Sequence, residues 1–397
     1  MRILIVTETF YPATDGICTR LAQMTPRLQA MGHQVLVVSP DLGIQEYQGV
    51  PIKVMDSFTF PLYSSRPWGL PSKKMKKVIE NFQPDVIHAV NPFMLGTSAV
   101  KYAQSLDIPL LTSYHTHMPN YLDHYNLSFM KPLLWDYLRK WHQPADYNVT
   151  VSKTLQAELI DQDICTQAVL PRGIDLDLFH PQNYDEKLYR EWTFGLPGQK
   201  LLVYVGRLAA EKDLDQLVHV FEGRDDICLA IVGDGPARQD LEAVFEGTKT
   251  TFTGFLKGQD LAKAYATGDA FIFPSTSETF GLVISEAMAS GTPVIAAESG
   301  ATLEQIIPGQ TGTTFKTGDK TSLQASLAIL DHEDILARMK VQARQEAEKY
   351  SWQAASQRLL EFYESARIIH QAKHVMRHSS YHLSLGQQFL SLFELNE

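Results

Sequence analysis

Cysteine is scarce: 397 residues carry three, Cys18, Cys165 and Cys228, far apart and with no CxxC pair. That excludes a disulfide scaffold and any finger-type metal site, and it suits a reducing compartment. Long apolar runs are missing too. The stretch Met1–Val6 is too short for a signal-peptide core and meets Glu8 at once. The most apolar long window, Phe280–Ala297, holds Glu286, two serines and Gly-Thr-Pro, so it reads as helix, turn and strand rather than a membrane span. The expected location is cytoplasmic, peripheral on a cytosol-facing membrane. Basic residues are outnumbered, 35 against 45 acidic, for a net charge of −10. Such a balance argues against a nucleic-acid binder. There is no GxGxxG fingerprint and no acidic residue of the expected kind at the end of the second strand, which disfavours a nicotinamide enzyme. The rest is ordinary globular composition, 44% apolar and 20% charged, enough for two sizeable cores.

Short β-branched runs alternate with longer amphipathic stretches. Ile3–Val6, Val35–Ser39, Val86–Ala89, Leu110–Ser113 and Tyr147–Val151 read as buried strands, with helices over Thr19–Met31 and Ser72–Phe82. The pattern restarts near residue 200. Leu201–Val205, Ile227–Val232, Thr251–Thr253, Ala270–Phe273 and Pro293–Ala297 read as strands; Leu214–Phe221, Ala237–Phe245, Leu261–Ala266 and Gly281–Ala289 read as helices. This predicts an α/β chain of two doubly wound parallel-sheet domains, 1–180 and 181–350, with the boundary in Phe179–Tyr184. A helix follows from about Ser351 to Ile369, then a tail, 371–397, whose end at Leu383–Leu395 is left unassigned. Ligands of open α/β sheets sit at strand C-termini, so the loops after strands are where chemistry is expected.

In the first half, Thr7–Ile17 links a strand to a helix. Gly16 there either lets backbone N–H groups approach an anion or serves a plain turn. The loop Ser113-Tyr114-His115-Thr116-His117 follows another strand. His115 is favoured as a donor to a sugar or phosphate oxygen, His117 as structural, and no third residue nearby completes a zinc site. In the second half, Gly206-Arg207-Leu208-Ala209-Ala210-Glu211-Lys212 puts two cations on one loop, Arg207 as a fork and Lys212 as a point charge. Gly233-Asp234-Gly235-Pro236 offers two glycines beside which a base or ribose can pass. The fullest segment is Phe273-Pro274-Ser275 through Glu286. The amides of Phe280, Gly281 and Leu282 at a helix start form an anion site, Glu278 precedes it, and Glu286 can hold two ribose hydroxyls. The alternatives are N-terminal capping for Glu278 and a buried ion pair for Glu286. Two Asp-x-Asp pairs, Asp175/Asp177 and Asp213/Asp215, are weighed as metal sites and set aside, because a phosphate would already have cationic partners.

Together, Glu-x7-Glu after Phe-Pro-Ser, GRLxxEK, GDGP, GTPV and Glu8-x-Phe10-Tyr11-Pro12-x-x-x-Gly16 resemble the family 4 retaining glycosyltransferases of GT-B fold, from Met1 to about Ile369. Within that family, the 113–117 loop, Glu278-Thr279-Phe280-Gly281, Glu286–Gly291 and Tyr350-Ser351-Trp352 look like sulfoquinovosyldiacylglycerol synthases and related diacylglycerol glycosyltransferases. The resemblance implies two Rossmann-like domains facing across a cleft, the first binding acceptor and the second a nucleotide sugar. It implies catalytic roles for His115, Arg207, Lys212 and Glu278. It implies donor contacts at Gly16, Gly206, Gly233, Gly235, Phe280, Gly281, Leu282 and Glu286, and a final helix crossing back to the first domain. The donor is expected to be a UDP-sugar, best UDP-sulfoquinovose, with no metal strictly required, and the acceptor diacylglycerol. Two departures from the family pattern stand out, Ser299–Glu304 where many relatives have Gly-Gly, and Arg172 before Gly-Ile-Asp.

Membrane contact is expected from Lys73, Lys74, Lys76 and Lys77 and from Trp135 and Trp141, since basic and aromatic residues side by side suit an anionic lipid surface. Residues 53–140 carry ten Lys/Arg against six Asp/Glu. Solvated helix faces explain each segment equally well. Partners are thus a nucleotide sugar, a lipid acceptor and an anionic membrane, with no nucleic acid and no obligate protein partner. The competing readings are a UDP-glucose or GDP-mannose enzyme, a glycosyltransferase with a soluble sugar or polyol acceptor, and a non-catalytic nucleotide-sugar binder.

Overall fold

The computed structural model describes residues 1–13, 15–60, 63–119, 122 and 127–393, without the side chains of 60, 63–66 and 377–393. Thr14 of the first loop, Asn120 and Tyr121 beyond the second, and the last four residues of the tail lie outside the described residues. The apolar runs become strands because both their faces are covered. Ile3 and Ile5 of β1 (Arg2–Val6) pack on one side of the first sheet, Leu4 and Val6 on the other, following the two-residue period. Each such side chain contributes about 1.5–3 kcal/mol by leaving water.

The first sheet comprises β1, β2 (Gln34–Pro40), β3 (Glu46–Tyr47), β4 (Val50–Met55), β7 (Val86–Val90), β8 (Leu110–Tyr114), β9 (Tyr147–Thr150) and β10 (Ala168–Val169). Its order is β10-β9-β8-β7-β1-β2-β4-β3, parallel except for β3. A separate hairpin, β5 (Ser57–Phe60) with β6 (Tyr63–Gly69), was not foreseen. The helices are α1 (Gly16–Ala30), α2 (Lys74–Phe82), α3 (Leu95–Ser105), α4 (Lys131–His142) and α5 (Lys153–Asp161).

The second sheet is wholly parallel: β11 (Lys200–Val205), β12 (Ile227–Val232), β13 (Thr250–Gly254), β14 (Ala270–Phe273), β15 (Val294–Ala297) and β16 (Gly312–Phe315), in the order β13-β12-β11-β14-β15-β16. This is the dinucleotide-fold order, which reverses between its first and fourth strands. Its helices are α6 (Glu186–Trp192), α7 (Arg238–Val244), α8 (Gly258–Thr267), α9 (Leu282–Ala289), α10 (Gly300–Leu303), α11 (Lys320–Ser326) and α12 (Glu333–Ala347). Residues 214–221, read as an α-helix, are wound as 3₁₀ turns.

The chain enters the second core earlier than residue 181. Leu170 packs in the first core, whereas Ile174 and Phe179 pack in the second. It returns through α13 (Trp352–Phe393), whose Trp352, Leu359, Phe362 and Tyr363 lie in the first core. The helix does not stop near Ile369 but runs on to Phe393. The two crossings touch: a Cβ on Gly173 would fall 2.1 Å from the Trp352 ring, so only glycine fits there. Arg172 lies 4.9 Å over the Tyr350 ring and donates to the Glu304 carbonyl, so its use is structural.

Candidate active site

The order reversal of the second sheet opens a crevice between β11 and β14. The Gly206–Lys212 loop leaves β11 and the Pro274–Gly281 loop leaves β14, so the two strongest sequence motifs meet there. Lys212 ends a short 3₁₀ turn, and its ammonium pairs with the Glu278 carboxylate. Both side chains are largely shielded, 16% and 20% exposed, so the pair is formed away from most screening water. Arg207 is half-exposed and lies 3.9 Å from Glu211. Ser277 Oγ donates to the Glu211 carbonyl at 2.8 Å, lacing the two loops together.

Gly281 adopts the left-handed conformation, φ +75°, that turns the loop into α9. Gln305 takes up the carbonyls of Phe280 and Gly281 through Nε2 and is itself held by Ser285 Oγ at 2.9 Å. The N–H groups of Phe280, Gly281, Leu282 and Val283 have no acceptor among the described residues. A helix start with unspent donors and a favourable dipole suits a phosphate. One and a half turns on, Glu286 accepts from Tyr265 Oη at 2.8 Å, and burial pushes its carboxyl up to about 7. Among the described residues no cation pairs with it, so burial rather than an ion pair sets its state.

The glycines of the GDGP loop are required first by backbone packing. A Cβ on Gly233 would fall 1.9 Å from the Gly206 carbonyl oxygen, and one on Gly235 2.2 Å from that of Leu208. The close approach they permit is to the neighbouring β11 loop, sealed by Leu208 N–H to Asp234 O and Ala237 N–H to Leu208 O, both 3.0 Å. Gly206 likewise sits under the Tyr204 hydroxyl.

Across the cleft, the first sheet reverses between β1 and β7. A pocket there is lined on its apolar side by Ile17, Trp68, Phe93 and Met118, with Asn91 among its polar groups. Glu8 is not free for chemistry: its carboxylate accepts from the amides of Gly69, at 2.9 Å, and of Leu95, capping α3. Asp15 caps α1 through Cys18 N–H at 2.9 Å. Gly16 begins α1 within 3.7 Å, at Cβ, of Leu282 at the start of α9. The starts of α1 and α9 therefore lie side by side.

His115 is buried at the seam, its carbonyl accepting from Thr279 Oγ1 at 2.7 Å. Burial first, then the nearby Arg20, His88 and His142, hold its imidazole well below the usual range, so it is neutral near pH 7. His117 is structural, paired with Glu158 at 2.6 Å and edge-on to Trp135. Asp175 caps Leu178 N–H, and among the described residues no cluster of three His, Cys, Asp or Glu side chains could hold a metal.

Three seam residues escaped the sequence reading. Arg20 lies 5.3 Å over the Phe280 ring and donates to Pro171 O at 2.7 Å. Glu304 accepts from the amides of Lys153 and Thr154 at 2.9 and 2.7 Å, binding the two domains through the start of α5. Gln305 is the third. None was read as a site residue, since each side-chain partner is at least twenty residues away.

The expected membrane residues divide. Lys73, Lys74, Lys76 and Lys77 are exposed, but Lys74 pairs with Asp56 and Lys76 with Glu80. Trp135 is 7% exposed in the first core, and Trp141 packs against Tyr137 and the other core face. Trp135 offers no ring to a membrane, and Trp141 is only partly exposed, with Lys140 5.1 Å over its ring. Phe129 and Leu133, 78% and 66% exposed, are the most exposed of the apolar side chains that α4 and its approach present to water, with Leu127 and Met130 beside them. Among the described residues no helix is long and apolar enough to cross a membrane.

Residues 14–178 match the profile of Glycosyltransferase Family 4, and residues 191–350 that of Glycosyl transferases group 1. A sulfoquinovosyl transferase of Arabidopsis thaliana is 34% identical over 92% of this chain and 73% of its own. A GDP-mannose-dependent alpha-mannosyltransferase of Mycobacterium tuberculosis is 32% identical over 92% and 97%. An alpha-monoglucosyldiacylglycerol synthase of Streptococcus pneumoniae is 29% identical over 75% and 71%. Among solved structures, sucrose-phosphate synthase of Thermosynechococcus elongatus superposes with a TM-score of 0.75 at 22% identity, over 91% and 98%.

Proposed function

The chain belongs to the family 4 glycosyltransferases of GT-B fold, and from that premise we propose that it moves a sugar from a UDP-sugar, best UDP-sulfoquinovose, to diacylglycerol with retention. The observation that carries this reading is that α1 and α9 begin side by side, with Glu278, paired with Lys212, on the loop that leads into α9. A diphosphate placed there would meet unspent amides, two helix dipoles and the cations Arg207 and Lys212. Phosphate binding would compete with Glu278 for Lys212, releasing the carboxylate towards the sugar. Glu286 would take the ribose hydroxyls.

A diphosphate is already a good leaving group, so the catalytic task is charge stabilisation and positioning. Neither Glu278, engaged by Lys212, nor the capping Glu8 is placed as a covalent nucleophile of the two-carboxylate kind. A front-face substitution, in which a leaving phosphate oxygen accepts the acceptor's proton, fits that arrangement. We assign no metal to the reaction, because the cations and helix termini supply the positive charge. Arg207, half-exposed, is available to close on the phosphates.

The diacylglycerol synthase among the relatives supports a lipid acceptor. Phe129 and Leu133, near Lys131, replace the tryptophans as the surface offered to an anionic membrane. The mannosyltransferase relatives favour GDP-mannose as a second donor reading.

The test is a panel of UDP-sulfoquinovose, UDP-glucose and GDP-mannose with diacylglycerol in anionic vesicles, the product anomer read by NMR. Transfer from UDP-sulfoquinovose to the lipid with the anomer retained is expected. Turnover only with a soluble acceptor overturns the lipid, an inverted anomer overturns retention, and binding without turnover on any donor leaves a nucleotide-sugar binder.

A further inference from the structure

Behind His115 runs a buried chain of polar groups that the reaction itself does not require. Tyr363 of α13 meets His88 Nδ1 at 2.9 Å. His88 Nε2 meets Ser113 Oγ at 2.8 Å, and Ser113 Oγ meets His115 Nε2 at 2.8 Å. All four residues are buried, at 0–6% exposure. They come from β7, β8, the loop after β8 and the helix that returns from the second domain.

The direction of this chain can be worked out. Burial holds the Tyr363 phenol protonated, pushes His88 down to about 3 and holds His115 well below its usual range. Each imidazole is therefore neutral, with one N–H donor and one acceptor nitrogen. The Tyr363 hydroxyl has His88 Nδ1 as its one partner among the described residues. A buried O–H left without an acceptor is costly, so Tyr363 donates. His88 Nδ1 then accepts, and His88 Nε2–H donates to Ser113 Oγ. Ser113 in turn spends its O–H on His115 Nε2. The ring proton of His115 is left on Nδ1, which has no acceptor among the described residues. The reverse direction strands the Tyr363 O–H and also leaves His115 Nδ1 as an unmet acceptor, two unmet buried groups against the single Nδ1–H that this direction leaves, and the smaller number is favoured.

We propose that Tyr363, His88 and Ser113 are positioning residues that lock His115 as its Nδ1–H tautomer, so that it offers a permanent neutral donor to the sugar of the bound nucleotide. The role of that donor rests on the glycosyltransfer reading; the tautomer itself does not. The return of α13 thereby does more than tie the domains, because its Tyr363 sets the direction of hydrogen bonds ending at the seam where Thr279 of the second domain holds His115.

The test uses full-length protein labelled with ¹⁵N-histidine. Long-range ¹H–¹⁵N correlation spectra report which ring nitrogen carries the proton, with no substrate present. In the wild type, His115 is expected to be protonated at Nδ1 and His88 at Nε2. In Tyr363→Phe the two directions become comparable, so His115 shows a mixed tautomer. With whichever donor supports turnover, an even tautomer mixture lowers kcat about twofold, the share of the wrong tautomer, whereas His115→Ala, which removes the donor altogether, lowers it roughly tenfold with KM for the donor within about twofold. Ser113→Ala cuts the chain in the middle without touching α13 packing, and gives the same readouts if Tyr363→Phe melts early. An Nε2–H His115 in the wild type, or both variants retaining the wild-type tautomer and kcat, overturns the proposal. A correct tautomer with undiminished kcat in His115→Ala would instead remove the catalytic reading and leave the ordered chain standing.

Discussion

Glu286 should cost the empty protein stability while serving the donor. Its carboxyl is raised from the usual 4.5 to about 7, chiefly by burial, against which the bond from Tyr265 works. Between those values the native state holds a proton that the unfolded chain has released. Stability therefore falls as pH rises from about 4.5 to about 7 and is flat above that. At about 1.4 kcal/mol per pH unit, the full rise amounts to about 3 kcal/mol. That is an upper figure, because Glu286 retains some solvent contact. Glu286→Gln removes the titration and keeps an oxygen for Tyr265. The thermal midpoint of the variant, measured without ligand from pH 4.5 to pH 8, is expected to lose this downward slope relative to wild type. UDP affinity should move the other way. Two ribose hydroxyls donating to a carboxylate favour its ionised form, so wild-type affinity should weaken by up to tenfold per pH unit below about 7. At pH 8, Gln in place of the carboxylate should cost about 1.5–3 kcal/mol, the worth of hydrogen bonds to a charged group. Parallel melting profiles for the two proteins would refute the burial argument. Equal UDP affinity at pH 8 by calorimetry would refute the ribose contact.

Lys212→Ala and Glu278→Ala should each lower kcat/KM by roughly 10²–10³, and because the two side chains pair with each other, the double variant should fall well short of the product; full multiplicativity in a double-mutant cycle would show that they act separately. Gly233→Ala and Gly235→Ala, whose Cβ atoms would sit 1.9 and 2.2 Å from backbone oxygens, should lower the thermal midpoint sharply even without ligand, and a wild-type midpoint in both would contradict the loop packing. Phe129→Ser with Leu133→Ser should reduce sedimentation with anionic vesicles while leaving the melting curve in place, whereas Trp135→Ser should destabilise the fold; unchanged vesicle binding in the former would remove this surface as the membrane contact. Glu304→Ala, which removes an acceptor shared by two amides and a hydroxyl of the other domain, should raise the radius of gyration in X-ray scattering, and an unchanged radius would show that the seam closes without it.

The strands and the phosphate-facing segments were legible because their causes are local. Fully buried parallel strands need unbroken β-branched runs, and a helix start after a strand needs a glycine and a polar loop. Glu278, Gly281 and Lys212 fell in the crevice for that reason: motif position along the chain already specified position at the strand ends. Hairpin β5–β6 was not visible, because its strand residues include Ser, Arg and Pro and carry no clean alternation. The aromatic residues of α4 were misread for a related reason. Composition places Trp135 and Trp141 beside lysines, but which side of the helix faces the sheet depends on elements far away, and it is Phe129 and Leu133 that face water.

By itself, then, the sequence determined two doubly wound sheets, the family, and the loops that line the cleft. Tertiary structure alone decided what each group's surroundings make of it. It spent the glycines of the GDGP loop on a neighbouring backbone, turned Glu8 into a helix cap and Arg172 into a contact between the chain crossings, and raised Glu286 by burying it. It also brought Tyr363 against His88 across 275 residues of chain. The physical reason is that strand and turn preferences act between chain neighbours, whereas desolvation and hydrogen-bond direction depend on which distant atoms exclude water from a site.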